Sequence, residues 1–276
     1  MNGQLDRVLL DLAARLAVDA GRMVRRGRAE HGITAASSKS TATDIVTEFD
    51  RASEQFVLTG ILDARPSDGV VGEEGTGVAG TSGVEWLVDP IDGTTNFLYG
   101  LPGYAVSIAA AVDGAPRAGA VYVPATDELF TAVAGGGAHL DGRRIHCTGA
   151  TDLAAALVAT GFSYRSERRA EQAERLALVL PRIRDIRRCG AAAPDLCHLA
   201  AGRVDAYFEQ WLGPWDHAAG ALIARESGCR TAGAADGVIG SGLPGEGDWV
   251  VAAPASLFPA LESMLREVEA TRRSIR

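Results

Sequence analysis

The sequence predicts a layered fold of mixed α and β structure. Apolar residues recur at helical spacing in some segments and as short β-like runs in others, and the two kinds alternate more closely after residue 150. From Leu5 to about Arg26, residues Leu9, Leu10, Leu12, Leu16, Val18 and Met23 recur near helical spacing with alanines between them, which predicts an amphipathic helix. The Ser-, Thr- and Ala-rich stretch Gly32 to Thr43 reads as a loop or hairpin. It delivers the string Asp44-Ile-Val-Thr-Glu-Phe-Asp50 to a second helical pattern through Phe56, Leu58 and Leu62. Val70-Val71 and Trp86-Leu87-Val88 read as short buried strands, the first ending in the turn Gly72-Glu73-Glu74-Gly75. Pro90 and Gly93 stop the second, and Thr94 or Thr95 starts a helix.

Tyr104 to Val112, Arg117 to Val123 and Leu129 to Val133 read as successive strands of a meander, joined by Asp113-Gly114 and Pro124. Beyond Asp152 the pattern alternates. A strand is expected at Ala155 to Thr160, a helix at Arg168 to Leu180, a strand at Ile183 to Cys189 and a helix at Ala193 to Ala201. The strand Val204 to Glu209 follows, then Trp215-Asp216-His217 opening a helix through Glu226, a strand at Trp249 to Ala252 and a last helix from Ser256 to Arg272. No repeat or low-complexity linker intervenes, so residues 1–276 read as one unit with an N-terminal α+β half to about 150 and a C-terminal α/β half from about 151.

Composition narrows the function classes. With 47% apolar and 22% charged residues the chain can bury a real core. A net charge of −8 leaves no basic face of the kind that releases phosphate counterions, so a nucleic-acid partner is not expected. The groups Arg22, Arg25, Arg26, Arg28 and Arg182, Arg184, Arg187, Arg188 read as solvated faces of regular elements. Cys147, Cys189, Cys197 and Cys229 contain no C-x-x-C pair, so neither a structural zinc site nor a redox motif is signalled, and His139, His146 and His198 read as ordinary surface or core histidines. The N-terminus lacks the basic start and apolar stretch of a signal peptide, and no stretch is apolar enough to span a bilayer. A cytoplasmic protein with no membrane partner is expected.

Asp89 and Asp92 flank a turn that leaves a buried strand and enters a helix. A capping Asp and a turn Asp would explain a generic pair of this kind. The end of a strand facing a helix start is also where α/β proteins place ligands, with the N–H groups of Gly93 and Thr94 available to an anion. Magnesium is held by a few carboxylates with water and substrate phosphate, so one turn can supply both a metal and a phosphate cradle.

The string Asp89-Pro-Ile-Asp-Gly-Thr-Thr-Asn96 resembles the principal signature of the inositol monophosphatase family. Gly72-Glu73-Glu74 resembles the family's upstream motif, and Gly213-Pro-Trp-Asp-His-Ala-Ala-Gly220 its W-D-x-A-A-G motif. Asp44 to Asp50 is similar to its N-terminal D-x-V-T-x-x-D, so the resemblance runs in order from about Lys39 to Ala253. It implies a layered α/β/α/β/α sandwich of the inositol monophosphatase and fructose-1,6-bisphosphatase type, a homodimer, and an active site between the halves. Glu73, Asp89 and the Ile91 carbonyl match a first metal site, and Asp89, Asp92 and Asp216 a second. Glu73 also matches the holder of a weaker third ion, so two or three magnesium ions are implied.

Thr94 with Asp50 matches the pair that orients the attacking water, while Asp92, Gly93, Thr94, Ala192 and Glu209 match substrate and phosphate contacts, Glu209 at the leaving group's hydroxyls. Lys39 aligns with a lysine near that region, and His217 reads as a helix-start residue because a hard cation prefers oxygen ligands. Ala191 replaces a hydroxyl residue in the segment Arg188 to Ala193, which removes one hydrogen bond to a polyol. The resemblance implies a small phosphate monoester as substrate, inositol-1-phosphate first, with lithium inhibition. Histidinol-phosphate, fructose-1,6-bisphosphate and 3′-phosphonucleotide phosphatases share the signature. A non-catalytic binding module on the same fold is the reading from another class.

Overall fold

The structure is a computed structural model that describes residues 2–33, 36–39, 44–75, 77–233 and 249–275. Residues 34, 35 and 40–43 of the expected loop or hairpin lie outside the described residues. The elements run α1 (Asn2–His31), β1 (Ala36–Ser38), β2 (Ile45–Thr47), α2 (Glu48–Ala64), β3 (Gly69–Gly72), β4 (Gly77–Val78), β5 (Val84–Asp92) and α3 (Thr94–Tyr99). Then follow β6 (Ala105–Val112), β7 (Ala115–Val123), β8 (Glu128–Val133), β9 (Gly137–Leu140), β10 (Arg143–Ile145), β11 (Leu157–Thr160), α4 (Ser166–Val179) and β12 (Asp185–Arg187). The chain continues through α5 (Ala192–Ala200), β13 (Ala206–Gln210), α6 (Pro214–Glu226), β14 (Cys229–Gly233), β15 (Trp249–Pro254) and α7 (Phe258–Ile275).

Two main sheets organise the molecule, of order β10-β9-β8-β7-β6-β5-β3-β4 and β12-β11-β13-β15-β14. The first is the expected meander from β5 onward, with β3 and β5 parallel. The second is mixed, its β11 parallel to both β12 and β13. Helices α1 and α2 bury Leu9, Leu16, Val57 and Ile61 on one face of the first sheet, against Trp86, Ile108 and Tyr122. On its other face α5 and α6 pack with Cys197, Ala219 and Ile223 against Val121 and Phe130. Leu196, Leu199, Ala221 and Ala224 of the same two helices meet Tyr207, Val250 and Ala252 of the second sheet. Beneath that sheet α7 and the end of α4 bury Phe258, Leu261, Met264 and Val179. The layers therefore read α/β/α/β/α, and α5 and α6 are apolar nearly all round because both flanks face a sheet.

The short strands β9, β10 and β14, the last two at sheet edges, escaped the apolar pattern. Gly135, Gly136 and Gly137 and the two-residue turn at Asp141-Gly142 give little periodicity, and edge strands bury only one flank. The strand expected at Ile183 to Cys189 is only Asp185–Arg187, since Gly190 turns the chain with φ 96° toward α5.

One buried polar cluster fixes β3 against β5, the strands that lead to Glu73 and Asp89. Asp68, 2% exposed, accepts from Ser82 Oγ at 2.6 Å, Trp86 Nε1 at 2.9 Å and the Arg65 guanidinium. Burial alone would push its carboxyl up, yet these donors hold it below the usual range. The depressed value means that its stabilisation is present above the ordinary Asp pKa and lost as pH falls through the folded one. Asp68→Ala is expected to cost about 3 kcal/mol in urea unfolding at neutral pH, since it strands a half-buried guanidinium and a buried indole N–H. A loss under about 1 kcal/mol would show that the cluster does not hold the strands.

Candidate active site

Each acidic residue reaches the site from the end of an element. Glu73 follows β3, where its N–H bonds Val88 O at 3.2 Å, and the next N–H, of Glu74, donates to buried Glu54 at 2.8 Å. Asp89 and Asp92 lie at the end of β5, where pairing with β6 shifts register between them. Ile91 N–H donates to Asp89 Oδ1 at 3.0 Å, and Ser53 Oγ of α2 caps Pro90 O at 3.0 Å. Gly93 then turns the chain with φ 88° into α3, and a Cβ there would lie 2.7 Å from Gly103 O, so the turn admits only glycine.

Thr47 caps α2, and Asp50 reaches back to accept from its N–H at 2.7 Å and its Oγ1 at 2.5 Å. The other Asp50 oxygen faces Thr94 Oγ1 at 3.0 Å. That hydroxyl stands equally 3.0 Å from Ile91 O and has one proton for two acceptors. At α6, Pro214 takes the first position without needing a donor, and Asp216 Oδ2 accepts from Gly213 N–H at 2.6 Å. Helix α5 begins at Ala192 with no side chain of its own to cap it. Asp92 Oδ2 does so from the other sheet, accepting from Ala193 N–H at 2.6 Å.

These ends meet in one cavity of about 320 Å³ lined by Glu73, Asp89, Ile91, Asp92, Gly93, Thr94, Ala192, Glu209 and Asp216. Asp50, fully buried, stands behind it through Thr94. The starts of α3, α5 and α6 all border it, so three sets of helix N–H groups with their positive dipole ends surround one space, an arrangement suited to a phosphate. Burial first, then the charges of Glu73, Asp92 and Asp216, push Asp89 well above the ordinary carboxylate value. Asp92 and Asp216 are likewise raised by burial and by their neighbours. Asp89 is within hydrogen-bond reach of both Glu73 and Asp216, a spacing that carboxylates tolerate only with a proton or cation between them. An all-oxygen donor set with Asp89 central fits a hard divalent ion.

A match to the inositol monophosphatase family covers residues 6–270. The chain belongs to the inositol monophosphatase family. It is 44% identical to an inositol-1-monophosphatase of Mycobacterium bovis over 89% of this chain and 92% of that protein. It is 41% identical to a Nus factor SuhB of Pasteurella multocida over 80% and 83%. The crystal structure of extragenic suppressor protein suhB from Bartonella henselae, 34% identical, superposes with a TM-score of 0.85 over 94% of this chain and 98% of that one. Membership makes this chain one of a metal-dependent phosphatase family.

The remaining expected residues fall as follows. Glu209, on β13, lines the cavity, accepts from Tyr207 Oη at 2.7 Å and is pushed up to about 8 by burial and by Asp195 and Asp216. Lys39 Nζ sits 2.8 Å from Glu73 and 2.5 Å from Glu74, a tie that sequence left open between loop and site. His217 is buried in the first turn of α6. Sequence reading missed Gly161, where a Cβ would lie 2.1 Å from Glu209 Oε1, although a glycine ending a strand was the available signal. It also missed Asn96, whose Nδ2 ties α3 to Gly103 O at 2.5 Å and to Cys189 O at 2.7 Å. Tyr164, Arg188 and Trp211 line the cavity from loops without any pattern that marks them. Trp211 takes φ 65°, costly for an aromatic residue.

Because Asp89, Asp92 and Asp216 are raised above 3.8, the folded chain holds their protons longer than the unfolded chain does. Without cation their contribution is most favourable below that value and is lost as pH rises through the folded pKa values. Asp89→Asn in chelator near neutral pH is therefore expected to melt at least about 2 °C above the parent chain, the shift that roughly 1 kcal/mol produces at this size. Magnesium should then stabilise the parent and not the variant. Identical melting of the two in chelator would refute the repulsion.

Proposed function

We propose that the chain hydrolyses a small phosphate monoester, with inositol-1-phosphate the first candidate, by direct attack of water. The observation that carries the proposal is the meeting of Glu73, Asp89, Asp92 and Asp216 with three helix N-termini around one cavity. Residues 1–276 act in this reading as one phosphatase unit, the halves about 1–150 and 151–276 meeting at that cavity. Two or three magnesium ions would be held by Glu73, Asp89, the Ile91 carbonyl, Asp92 and Asp216. When bound, they lower the pKa of water and neutralise the phosphate and the departing alkoxide.

The chain's own groups do the rest. If Ile91 O served an ion, the single Thr94 proton would go to Asp50, leaving a Thr94 lone pair to accept from the attacking water. Asp50 is fixed for this by Thr47, so its orientation is built into the cap of α2. N–H groups at Gly93, Thr94 and Ala192 face the phosphate as Asp92 holds α5 in place. Glu209 lines the cavity and meets the leaving group's hydroxyls. Ala191 withholds a hydroxyl there, which loosens discrimination among polyols.

Relatives named Nus factor SuhB favour a second reading, in which the chain also works as such a factor. The net charge of −8 favours a protein partner over nucleic acid in that role. Homodimerisation, a cytoplasmic location and lithium inhibition are proposed with the family reading.

Assay of a panel of phosphate monoesters should give turnover that vanishes in chelator and returns with magnesium, with calcium inhibitory because its larger, looser shell misplaces water and phosphate. Asp89→Asn should abolish that turnover. Activity of chelated enzyme, or near-parental activity of the variant at saturating magnesium, would sink the mechanism.

Assayed above pH 8, where the Glu209 carboxyl is ionised, Glu209→Ala should lower kcat/KM for inositol-1-phosphate by about tenfold to a hundredfold, the worth of one charge-assisted hydrogen bond held in the transition state. An aryl phosphate without those hydroxyls should barely respond. Equal losses on both substrates would remove Glu209 from recognition.

A further inference from the structure

Behind the substrate-facing loop lies a second cluster of ligand-type groups with a different chemistry. Cys189, just after β12, and Asp195 and His198 on α5 bring a thiol, a carboxylate oxygen and an imidazole nitrogen within 4.8 Å of one another. Asp195 and His198 are one helical turn apart, so they share a face, and the turn at Gly190 folds Cys189 back over them. His198 Nδ1 stands 4.0 Å from Asp195 Oδ1, too far for a hydrogen bond. Asp195 is 1% exposed, and its Oδ1 has no hydrogen-bond partner. A buried carboxylate oxygen left unsatisfied is costly, and this one stands 4.0 Å from the His198 ring nitrogen.

We propose that Cys189, Asp195 and His198 form a site for one thiophilic divalent ion of the zinc type, separate from the all-oxygen cavity. The donor set sorts the two sites by hardness: magnesium is suited to carboxylates and carbonyls, and a thiolate with an imidazole selects zinc-like ions. Three protein ligands leave a fourth tetrahedral position for water. Binding breaks the Cys189 S–H bond, releases its proton to solvent and forms one metal–sulfur bond, with no change of oxidation state. Burial and Asp195 together hold the Cys189 thiol up at about 11, while burial raises Asp195 to about 7. Both are the shifts that a local cation reverses. His198 is held below its usual value by burial and Arg203, so its ring is neutral and offers a lone pair.

Position gives the site a consequence. Cys189 O accepts from Asn96 Nδ2 at 2.7 Å, and Gly190, Ala191 and Ala192 line the catalytic cavity. An ion bridging Cys189 to α5 would pin this loop at both ends, by its side chain to the helix and by its carbonyl to α3. The ion therefore stabilises the fold and stiffens the wall that meets the substrate.

Cobalt(II) is a suitable probe, because thiolate ligation gives a near-ultraviolet charge-transfer band that oxygen ligands do not. The full chain, with magnesium present to fill the carboxylate cavity, is titrated with cobalt and then with zinc. One equivalent of cobalt should develop the band, zinc should displace it, and zinc should raise the melting temperature of the parent chain. Cys189→Ser should lose the band, Cys147→Ser should keep it, and His198→Ala should weaken cobalt binding at least about tenfold. Circular dichroism of each variant establishes that it is folded. The absence of a band at saturating cobalt, its survival in Cys189→Ser or its loss in Cys147→Ser would overturn the site. None of these readouts depends on hydrolysis, so they fail independently of the proposed phosphatase activity.

Discussion

Like-charge repulsion among buried and half-buried carboxylates around one cavity is the constraint around which this molecule is arranged. Glu73, Asp89, Asp92 and Asp216 are each held by backbone or neighbouring groups, so none can swing away to relieve the others. A fold that fixes acidic groups at such spacing gives up stability unless a proton or a cation lies among them. The large apolar layers on both sides offset that cost. The two cores beside the cavity, one on each sheet, share α5 and α6, so the helices that carry Asp216 and receive Asp92 are the most enclosed in the molecule.

The same constraint explains why helix starts gather here. An uncapped helix N-terminus exposes orphan N–H groups, and three of them border the cavity at α3, α5 and α6. Acidic side chains satisfy some of these donors, Asp92 at α5 and Asp216 at α6, and both line the cavity. Capping and ligand presentation are thus one arrangement. Asp50 extends it, since its hydrogen bonds to Thr47 start α2 and its second oxygen meets Thr94.

The cavity wall differs in kind from its floor. The floor is built from strand ends and helix starts, with regular hydrogen bonding on every side. Tyr164, Arg188 and Trp211 come from connections, where side chains can be exchanged without disturbing a sheet. In the proposed function substrate choice belongs to that wall, which is why the acidic signature names the chemistry better than it names the leaving group. The thiol, carboxylate and imidazole behind Gly190 lie under the same wall.

Sequence alone determined the layered α/β class, most long elements and the acidic groups, because amphipathic periodicity and turn chemistry are local and the motifs at Glu73, Asp89 and Gly213 are contiguous. It also bounded the metal chemistry, since carboxylates and a carbonyl suit hard cations whatever the fold. Tertiary structure decided what depends on distance between segments far apart in the chain. Glu209 needs Gly161 opposite it, Asp92 caps a helix 101 residues away, and Asn96 holds a loop 93 residues away. Short strands were also left to the fold, because β9, β10 and β14 draw their stability from neighbouring strands rather than from their own pattern. Cys189, Asp195 and His198 carry no recognisable spacing, and only the Gly190 turn onto α5 brings their donor atoms together.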